Sequence, residues 1–376
     1  MEEKRVGQAV EVVPRISAEL LRQFMVDVFV GVGVPQEDAD IVADVLIAAD
    51  LRGFDSHGIS RLKPIYYDRI KQGILSPITN IDVVREGPTT AVLDGNNGMG
   101  HVIGKRAMEM AIAKARDYGM GMVVARNSSH YGIAGYYTNM AADAGMIGIC
   151  GTNARPSIAP TFGVENMLGT NPLAFAMPTD EEFHFSLDCA TSVTQRGKIE
   201  VYARLNKPVP EGWVIDHEGK SKTDPHQILD DLTKGLAALA PLGGISEETA
   251  GYKGYGYATV VEILSAALAG GPFLKALSGV DENGKKVPHR LGHFFIAIDV
   301  SAFIDLQEFR RITGEILRQL RASKKAPGHD RIYTAGEKEY YTQQERMRSG
   351  IPINESLQKD IRILQAELGL KYAFPF

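Results

Sequence analysis

The run Arg52-Gly53-Phe54-Asp55-Ser56-His57-Gly58-Ile59-Ser60-Arg61 holds an imidazole, hydroxyls and two guanidiniums close together in the chain. His57 and Arg61 are four apart; if Gly58 opens a helix, their side chains lie one turn apart, with Cβ atoms roughly 5–6 Å from each other. Such a pair suits a substrate carboxylate forked by Arg61, with His57 at the adjoining carbon. Ser56 can hydrogen-bond the imidazole and set its tautomer. The plainer reading makes Ser56 a helix cap and His57 a surface residue of the first turn. A second group, Asn127-Ser128-Ser129-His130-Tyr131-Gly132-Ile133-Ala134, falls where a strand should end and a helix begin. Open α/β sheets commonly bind ligands at such junctions, and the first N–H groups of the helix favour an anion such as a pyrophosphate. His130, with an ordinary pKa of about 6.5, suits general acid–base work there. A cap made by Ser128 or Ser129 explains the same residues equally well. Asp188 follows the apolar Phe185 and Leu187, and a carboxylate ending a buried strand needs a partner, a histidine being a natural one. Lys253 stands in Gly251-Tyr252-Lys253-Gly254-Tyr255-Gly256, where glycines let a cation and backbone approach phosphate or ribose, or simply begin a helix. A carboxylate grip, a proton carrier, an orienting acid and an anion cradle make up the inventory of a 2-hydroxyacid dehydrogenase.

The elements that must position these groups change character along the chain. Ser17 caps a first expected helix whose apolar residues Leu20, Leu21, Phe24, Met25, Val28 and Phe29 recur at helical spacing. Pro35, Glu37 and Asp38 open a second helix ending near Leu51, and a third is expected from about Gly58 to Lys71. Beyond Pro77 the pattern turns mixed. Strands are expected at 90–94, 120–125, 146–150 and 293–300, and helices at 101–118 and 131–144. Shorter strands at 173–177 and 183–188 read as a hairpin about Asp180-Glu181-Glu182. Residues 208–225 read as a surface excursion rich in turn formers, and the glycine-rich turn at 251–256 feeds an apolar helix to Leu268. From Asp305 onward helices dominate, the last capped by Ser356.

Composition narrows the function classes. A formal net charge of -5 argues against nucleic acid or an anionic membrane surface as partner. No apolar run reaches the roughly 18 residues of a membrane span. Met1-Glu2-Glu3-Lys4-Arg5 has no apolar segment behind it and does not read as a signal peptide. Two cysteines, Cys150 and Cys189, are too few for a disulfide framework or a thiolate metal site, so no metal and a reduced, cytoplasmic setting are expected. Residues 90–125 imitate a nucleotide-binding βαβ unit, with Gly98, Gly100 and Gly104 in the turn. The third glycine is one residue late for the dinucleotide fingerprint, and the second strand ends in Arg126-Asn127 instead of an acid, so a plain turn fits better.

The motifs Arg52-to-Gly58, Ser129-His130-Tyr131-Gly132, Gly169-to-Phe175, Asp188-to-Ser192, Tyr252-to-Gly256 and Ala335-Gly336-Glu337 stand in the order of a known family. The chain resembles, over nearly its whole length, the type-2 malate/L-lactate dehydrogenases, whose members also act on sulfolactate, ureidoglycolate and cyclic ketimines. That resemblance implies an α+β fold. A non-Rossmann nicotinamide-binding domain with a mixed or antiparallel sheet would span 78–304, and residues 1–77 and 305–376 would form a helical domain from both chain ends. It implies NAD or NADP, a homodimer, and a small 2-hydroxy acid as substrate, with malate/oxaloacetate leading and L-lactate, sulfolactate, ureidoglycolate or a cyclic imine as alternatives. A non-catalytic nucleotide-binding descendant is the alternative of another class, and the presence of His57, His130, Arg61, Asp188 and Lys253 speaks against it. Position by position, Ser56, His57 and Asp188 match a relay proposed in the ketimine reductase branch, and His130 matches the proton acceptor of the ureidoglycolate branch. Arg61 and Thr170 match substrate contacts. His130, Tyr131, Gly132, Ile133, Ala134, Asp188, Cys189, Ala190, Lys253, Gly254, Gly336, Glu337 and Lys338 match dinucleotide contacts. His289 stands where the ureidoglycolate branch has a cofactor-contacting arginine.

Overall fold

The computed structural model describes residues 13–376; the reading of Met1–Arg5 lies outside them. After a short strand β1 (Arg15–Ile16), the Ser17 hydroxyl accepts from the Leu20 N–H at 3.3 Å and starts helix α1 (Ala18–Gly31). Leu21, Phe24, Met25, Val28 and Phe29 form its buried stripe. Helix α2 (Gln36–Leu51) follows Pro35, with Glu37 and Asp38 in the first turn, where the helix dipole favours acids. The third helix differs from expectation. Gly58 is followed by a 3-10 turn (Ile59–Arg61), a π-helical stretch (Leu62–Tyr67) and only then a single α-turn, α3 (Asp68–Lys71). Pro64 has no N–H to give, so a regular i→i−4 ladder cannot run through it. His57 and Arg61 are therefore not neighbours on one α-helical face.

Next come β2 (Asp82–Glu86), β3 (Thr90–Asp94), α4 (Gly100–Tyr118), β4 (Met120–Ser128), α5 (Ala134–Asp143), β5 (Met146–Thr152), β6 (Leu173–Met177) and β7 (Phe185–Cys189). Helix α6 (Arg196–Arg204), β8 (Val214–Asp216), α7 (Pro225–Lys234), β9 (Ala237–Leu239), α8 (Gly251–Glu262) and β10 (Leu291–Asp299) follow. The chain closes with α9 (Leu306–Ala322), α10 (Glu337–Ser349), β11 (Ile351–Pro352) and α11 (Glu355–Leu368). The main sheet is mixed and seven-stranded, in the order β2-β3-β4-β10-β5-β6-β7. Its one parallel pair is β3–β4, joined through α4; every other neighbouring pair is antiparallel. Helices α4 and α5 lie against the sheet through Ala107, Ala111, Ala115 and Ala141, small residues that permit close approach. The glycines of the false fingerprint serve the same end. A Cβ on Gly100 would overlap the Ser129 carbonyl, and one on Gly104 would come 2.9 Å from the Tyr137 ring.

Three other expectations change. Residues 208–225 are no mere excursion: Val209 and Val214 are buried, β8 pairs with β9, and both belong to a small core with Ile158, Leu168, Ile199 and Ile228. The glycines at 251–256 lie inside α8, where Gly254 passes so close to the Leu242 backbone that a Cβ would overlap it. Asn354, not Ser356, caps α11, accepting from the Leu357 N–H at 3.1 Å. Among the described residues no helix is long and apolar enough to cross a membrane.

Both ends of the chain meet in one core. Ile351, Ile353, Ile361 and Leu364 pack with Leu21, Phe24, Phe29, Leu46, Tyr66 and Tyr67, and β1 pairs with β11 through Ile16 and Ile351. Helix α9 docks elsewhere, its Arg318 and Arg321 ion-paired with Asp180 and Glu181 in the β6–β7 turn.

Candidate active site

The run from Arg52 to Arg61 is held at both sides. Beneath it the buried Asp50 carboxyl group accepts the Ile59 N–H at 2.8 Å through Oδ2, and the Gly58 backbone passes so close that any Cβ there would overlap Asp50. From α10, Arg346 donates to the Asp50 carbonyl at 2.5 Å and ion-pairs with Asp55. Arg61 folds back to donate through Nε to the Ser56 carbonyl. So fixed, Ser56 Oγ meets His57 Nδ1 at 2.7 Å. Burial, then the nearby Arg61 cation, pushes His57 down to about 4.

His130 leaves the end of β4 and faces His57, the rings nearly parallel with centroids 5.7 Å apart. Its Nδ1 lies 2.5 Å from the Tyr66 hydroxyl and accepts the Gly132 N–H at 3.3 Å. A backbone N–H can only donate, so in this arrangement the neutral ring carries its hydrogen on Nε2. Burial above all holds His130 well below the ordinary histidine range, with His57, His101, Arg61 and Arg69 adding repulsion. Burial raises the Tyr66 hydroxyl, against the pull of Arg61 and Arg69. Arg69 is also in contact with His289 Nε2, while His289 Nδ1 donates to the Leu277 carbonyl at 3.0 Å. Arg155, after β5, is close enough to depress both Arg69 and His289. Among the described residues no carboxylate pairs with Arg61, Arg69 or Arg155. A neutral histidine is thus ringed by cations that lack an anion.

Asp188 stands apart from both histidines. Its Oδ2 accepts the Gly135 N–H at 2.7 Å, capping α5, whose own N-cap residue Ile133 offers no side-chain acceptor. The helix start at which an anion was expected therefore already holds one, supplied by β7. Burial raises Asp188 to about 6, partly offset by the Gly135 N–H and by Arg52. Asp188, Arg52, Phe54, Gly135, Gly336 and Glu339 help line a cavity of about 270 Å³.

The remaining positions have varied surroundings. Tyr131 is buried and lies flat on His293 at 4.4 Å, and His293 is held between Thr152 Oγ1 and Ser128 Oγ at 2.6 and 2.7 Å. Gly132 has φ +79°, and a Cβ there would meet Val45 at 2.6 Å, so the turn that aims His130 requires glycine. Ile133 and Ala134 are buried; Cys189 and Ala190 are half-buried. Thr170 precedes the buried Asn171, whose Nδ2 donates to Glu262 at 2.8 Å and to the Ala258 carbonyl at 3.0 Å. Lys253 is exposed on the first turn of α8, beside the buried Gly254. Glu337 is fully buried between Arg331 and Arg321, and Lys338 Nζ lies 4.7 Å over the Tyr333 ring. The structure thus gathers Ser56, His57, Arg61 and His130 about one point, with His289 joined to it through Arg69, and Asp188 with Gly336 about another. Tyr66, Arg69 and Arg155 were not singled out in the sequence. Their only signal was that Tyr66 and Arg69 follow Arg61 at five and eight residues, a spacing the π-helical stretch turns to use.

The model of the malate/L-lactate dehydrogenase family matches residues 16–362. The chain is 45% identical over 357 residues to a malate dehydrogenase of Pyrococcus horikoshii, covering 95% of this chain and 96% of that one. It is 40% identical to an L-sulfolactate dehydrogenase of Methanocaldococcus jannaschii, over 93% and 96% of the two chains. The crystal structure of malate dehydrogenase from Entamoeba histolytica superposes with a TM-score of 0.93 at 48% identity, covering 97% of this chain and all of that one.

Proposed function

Because the chain belongs to the malate/L-lactate dehydrogenase family, we propose that it interconverts malate and oxaloacetate with a nicotinamide cofactor. One observation carries the choice of a substrate with two acidic groups: the catalytic histidine is flanked by Arg61 and Arg69, neither paired with a carboxylate of the described residues. Sulfolactate is the second reading, since a sulfonate presents oxygens that a guanidinium can equally grip.

In the oxidation direction Arg61 holds the carboxylate beside the reacting carbon and His130 takes the hydroxyl proton. Burial and the surrounding cations keep His130 neutral, the form a base requires. Tyr66 occupies Nδ1, so Nε2 is the nitrogen left to face substrate. To accept a proton there, the ring must carry its hydrogen on Nδ1. The Tyr66 hydroxyl permits that by turning from donor to acceptor, and the long Gly132 contact is given up. The substrate's anionic groups, arriving beside Arg61 and Arg69, cancel part of the repulsion and raise the basicity of His130 as the proton transfers. Ser56 fixes the His57 ring against that of His130.

For the cofactor, the cavity beside Asp188 and Gly336 is fit to take part of a dinucleotide, its carboxylates being acceptors for ribose hydroxyls. A bound nicotinamide would accept the hydride released from malate, or return it to oxaloacetate; the chain aligns it and excludes water. Glu181 is already paired with Arg318 and Arg321, but the cavity still sets Asp143, Glu182, Asp188 and Glu339 against Arg52, a lining unfavourable to an added phosphate. Arg126, a cation that could have met a 2′-phosphate, bonds instead to Asp94 at 2.8 Å and to the Ala269 carbonyl at 3.2 Å. NADH is therefore the proposed cofactor. We take the sheet region as a non-Rossmann dinucleotide-binding domain, the single parallel strand pair and the close-packed glycines of α4 supporting that reading. The test is a panel of 2-oxo acids and cyclic imines run with NADH and with NADPH. Oxaloacetate with NADH is expected to give the highest kcat/KM, at least about tenfold above oxaloacetate with NADPH. Failure with the whole panel would favour a non-catalytic nucleotide-binding module.

A homodimer in a reducing, cytoplasmic setting completes the proposal. Val260, Ile263 and Leu268 on α8 and its continuation are 48–54% exposed, and Ile312, Ile316 and Leu320 along α9 are 40–54% exposed. Apolar faces of this kind are normally covered by protein. Both cysteines are free thiols. Light scattering should give twice the 41.0 kDa chain mass, and Val260→Glu with Ile263→Glu should lower it if α8 is the contact.

A further inference from the structure

We infer that Arg69, held by His289, is the residue that reads the second acidic group of the substrate, and that this pair sets the preference for diacids over monoacids. The inference rests on the dehydrogenase reading above and assigns its specificity. Arg69 stands three residues after Tyr66, whose hydroxyl bonds the catalytic His130 at 2.5 Å, so one short segment delivers both the partner of the base and a guanidinium. Arg61, at the other end of that segment, lies against the Ser56 carbonyl and faces the same histidine. Two cations, one from each end of a π-helical stretch, thus approach the reacting centre. Two such cations supply one counter-charge for each acidic group of a diacid or its sulfonate counterpart, one more than lactate requires.

What fixes Arg69 is unusual. A half-buried arginine is ordinarily steered by a carboxylate, which would also neutralise it and weaken its hold on an anionic substrate. Here the steering partner is an imidazole. His289 donates from Nδ1 to the Leu277 carbonyl, so its Nε2 is left as a bare acceptor turned to Arg69. The contact orients the guanidinium and leaves its full charge for the ligand. His289 stays neutral beside that cation. Arg155 adds positive potential behind them. His289 is therefore a positioning residue for Arg69, which differs from the direct cofactor contact expected of position 289.

The experiment measures kcat/KM for oxaloacetate and for pyruvate in the full-length protein and in Arg69→Lys, Arg69→Gln, His289→Ala and His289→Asn. Removing a charged hydrogen bond made only to the second acidic group should lower the oxaloacetate-to-pyruvate ratio about 10- to 10²-fold in the Arg69 variants. Lysine should recover part of it. His289→Ala should raise KM for oxaloacetate with little change in kcat, and His289→Asn, which keeps an acceptor, should restore KM. An active wild type whose ratio is unmoved in both Arg69 variants overturns this inference alone. A wild type that reduces no 2-oxo acid overturns the functional reading and this inference with it. Loss of activity on both substrates by the same factor would make Arg69 a general structural support and would also overturn it.

Discussion

Replacing His130 by alanine is expected to lower kcat about 10²- to 10⁴-fold in both directions, the range typical of losing a positioned proton carrier. His57→Ala should cost less. Its ring is packed against His130 and tethered by Ser56, so it shapes the site without being bonded to the Tyr66 hydroxyl. Steady-state kinetics on the two variants decides the matter: intact turnover in His130→Ala with abolished turnover in His57→Ala would reverse the roles. The pH profile gives a second readout. Burial and neighbouring cations hold the free His130 well below the ordinary value, so it remains a base to lower pH. The acid limb of kcat/KM for malate oxidation should then fall below the roughly 6.5 of an unperturbed histidine.

The second large effect concerns Asp50. Burial pushes its carboxyl up to about 8, and only the Ile59 N–H and the more distant Arg346 oppose that. At neutral pH the folded protein holds a proton on Asp50 that the unfolded chain releases near pH 3.8. The contribution to stability is thus fully present below about pH 4 and is lost as pH rises towards 8. Over that window, about four pKa units wide, the loss is on the order of 5–6 kcal/mol. Asparagine keeps an acceptor for the Ile59 N–H and has no proton to lose. The stability difference between wild type and Asp50→Asn should therefore slope with pH between 5 and 8 and flatten above. Denaturant titrations at several pH values measure it; parallel curves would mean that Asp50 is ionised in the folded protein. Because Asp50 secures the segment bearing His57 and Arg61, its ionisation should loosen that segment before the whole fold gives way.

Much of this architecture was legible from spacing. The stripe of α1, the acids opening α2 and the apolar strand β10 declare themselves because each pattern is local. The seven-stranded order was not legible, since β10 enters between β4 and β5 from far along the chain. Of the site, the two histidines and Arg61 stood out as polar groups beside glycines. Asp188 was noticed for the right reason, a carboxylate at a strand end needing a partner, but its partner in the structure is the Gly135 N–H. Backbone donors leave no trace in a sequence. Arg69 and Tyr66 went unnoticed because their meaning depends on a helix that Pro64 forces out of register. The glycines at 251–256 misled for the opposite reason: close packing of Gly254 on Leu242 and of Gly251 on Gly244 requires glycine inside a helix, where propensity argues against it.

The pairing of β1 with β11 has a consequence for how the protein is made. The apolar faces of α1 and α2 are complete once Leu51 has left the ribosome, yet part of their cover, Ile351 to Leu364, is synthesised last. At bacterial-to-eukaryotic elongation rates that interval is roughly 15–60 s. Through it the nascent chain carries an incompletely covered hydrophobic surface. Recovery of native protein should accordingly be more sensitive to chaperone capacity than to the intrinsic speed of any one helix, and chains released before Ile351 should be the ones that aggregate.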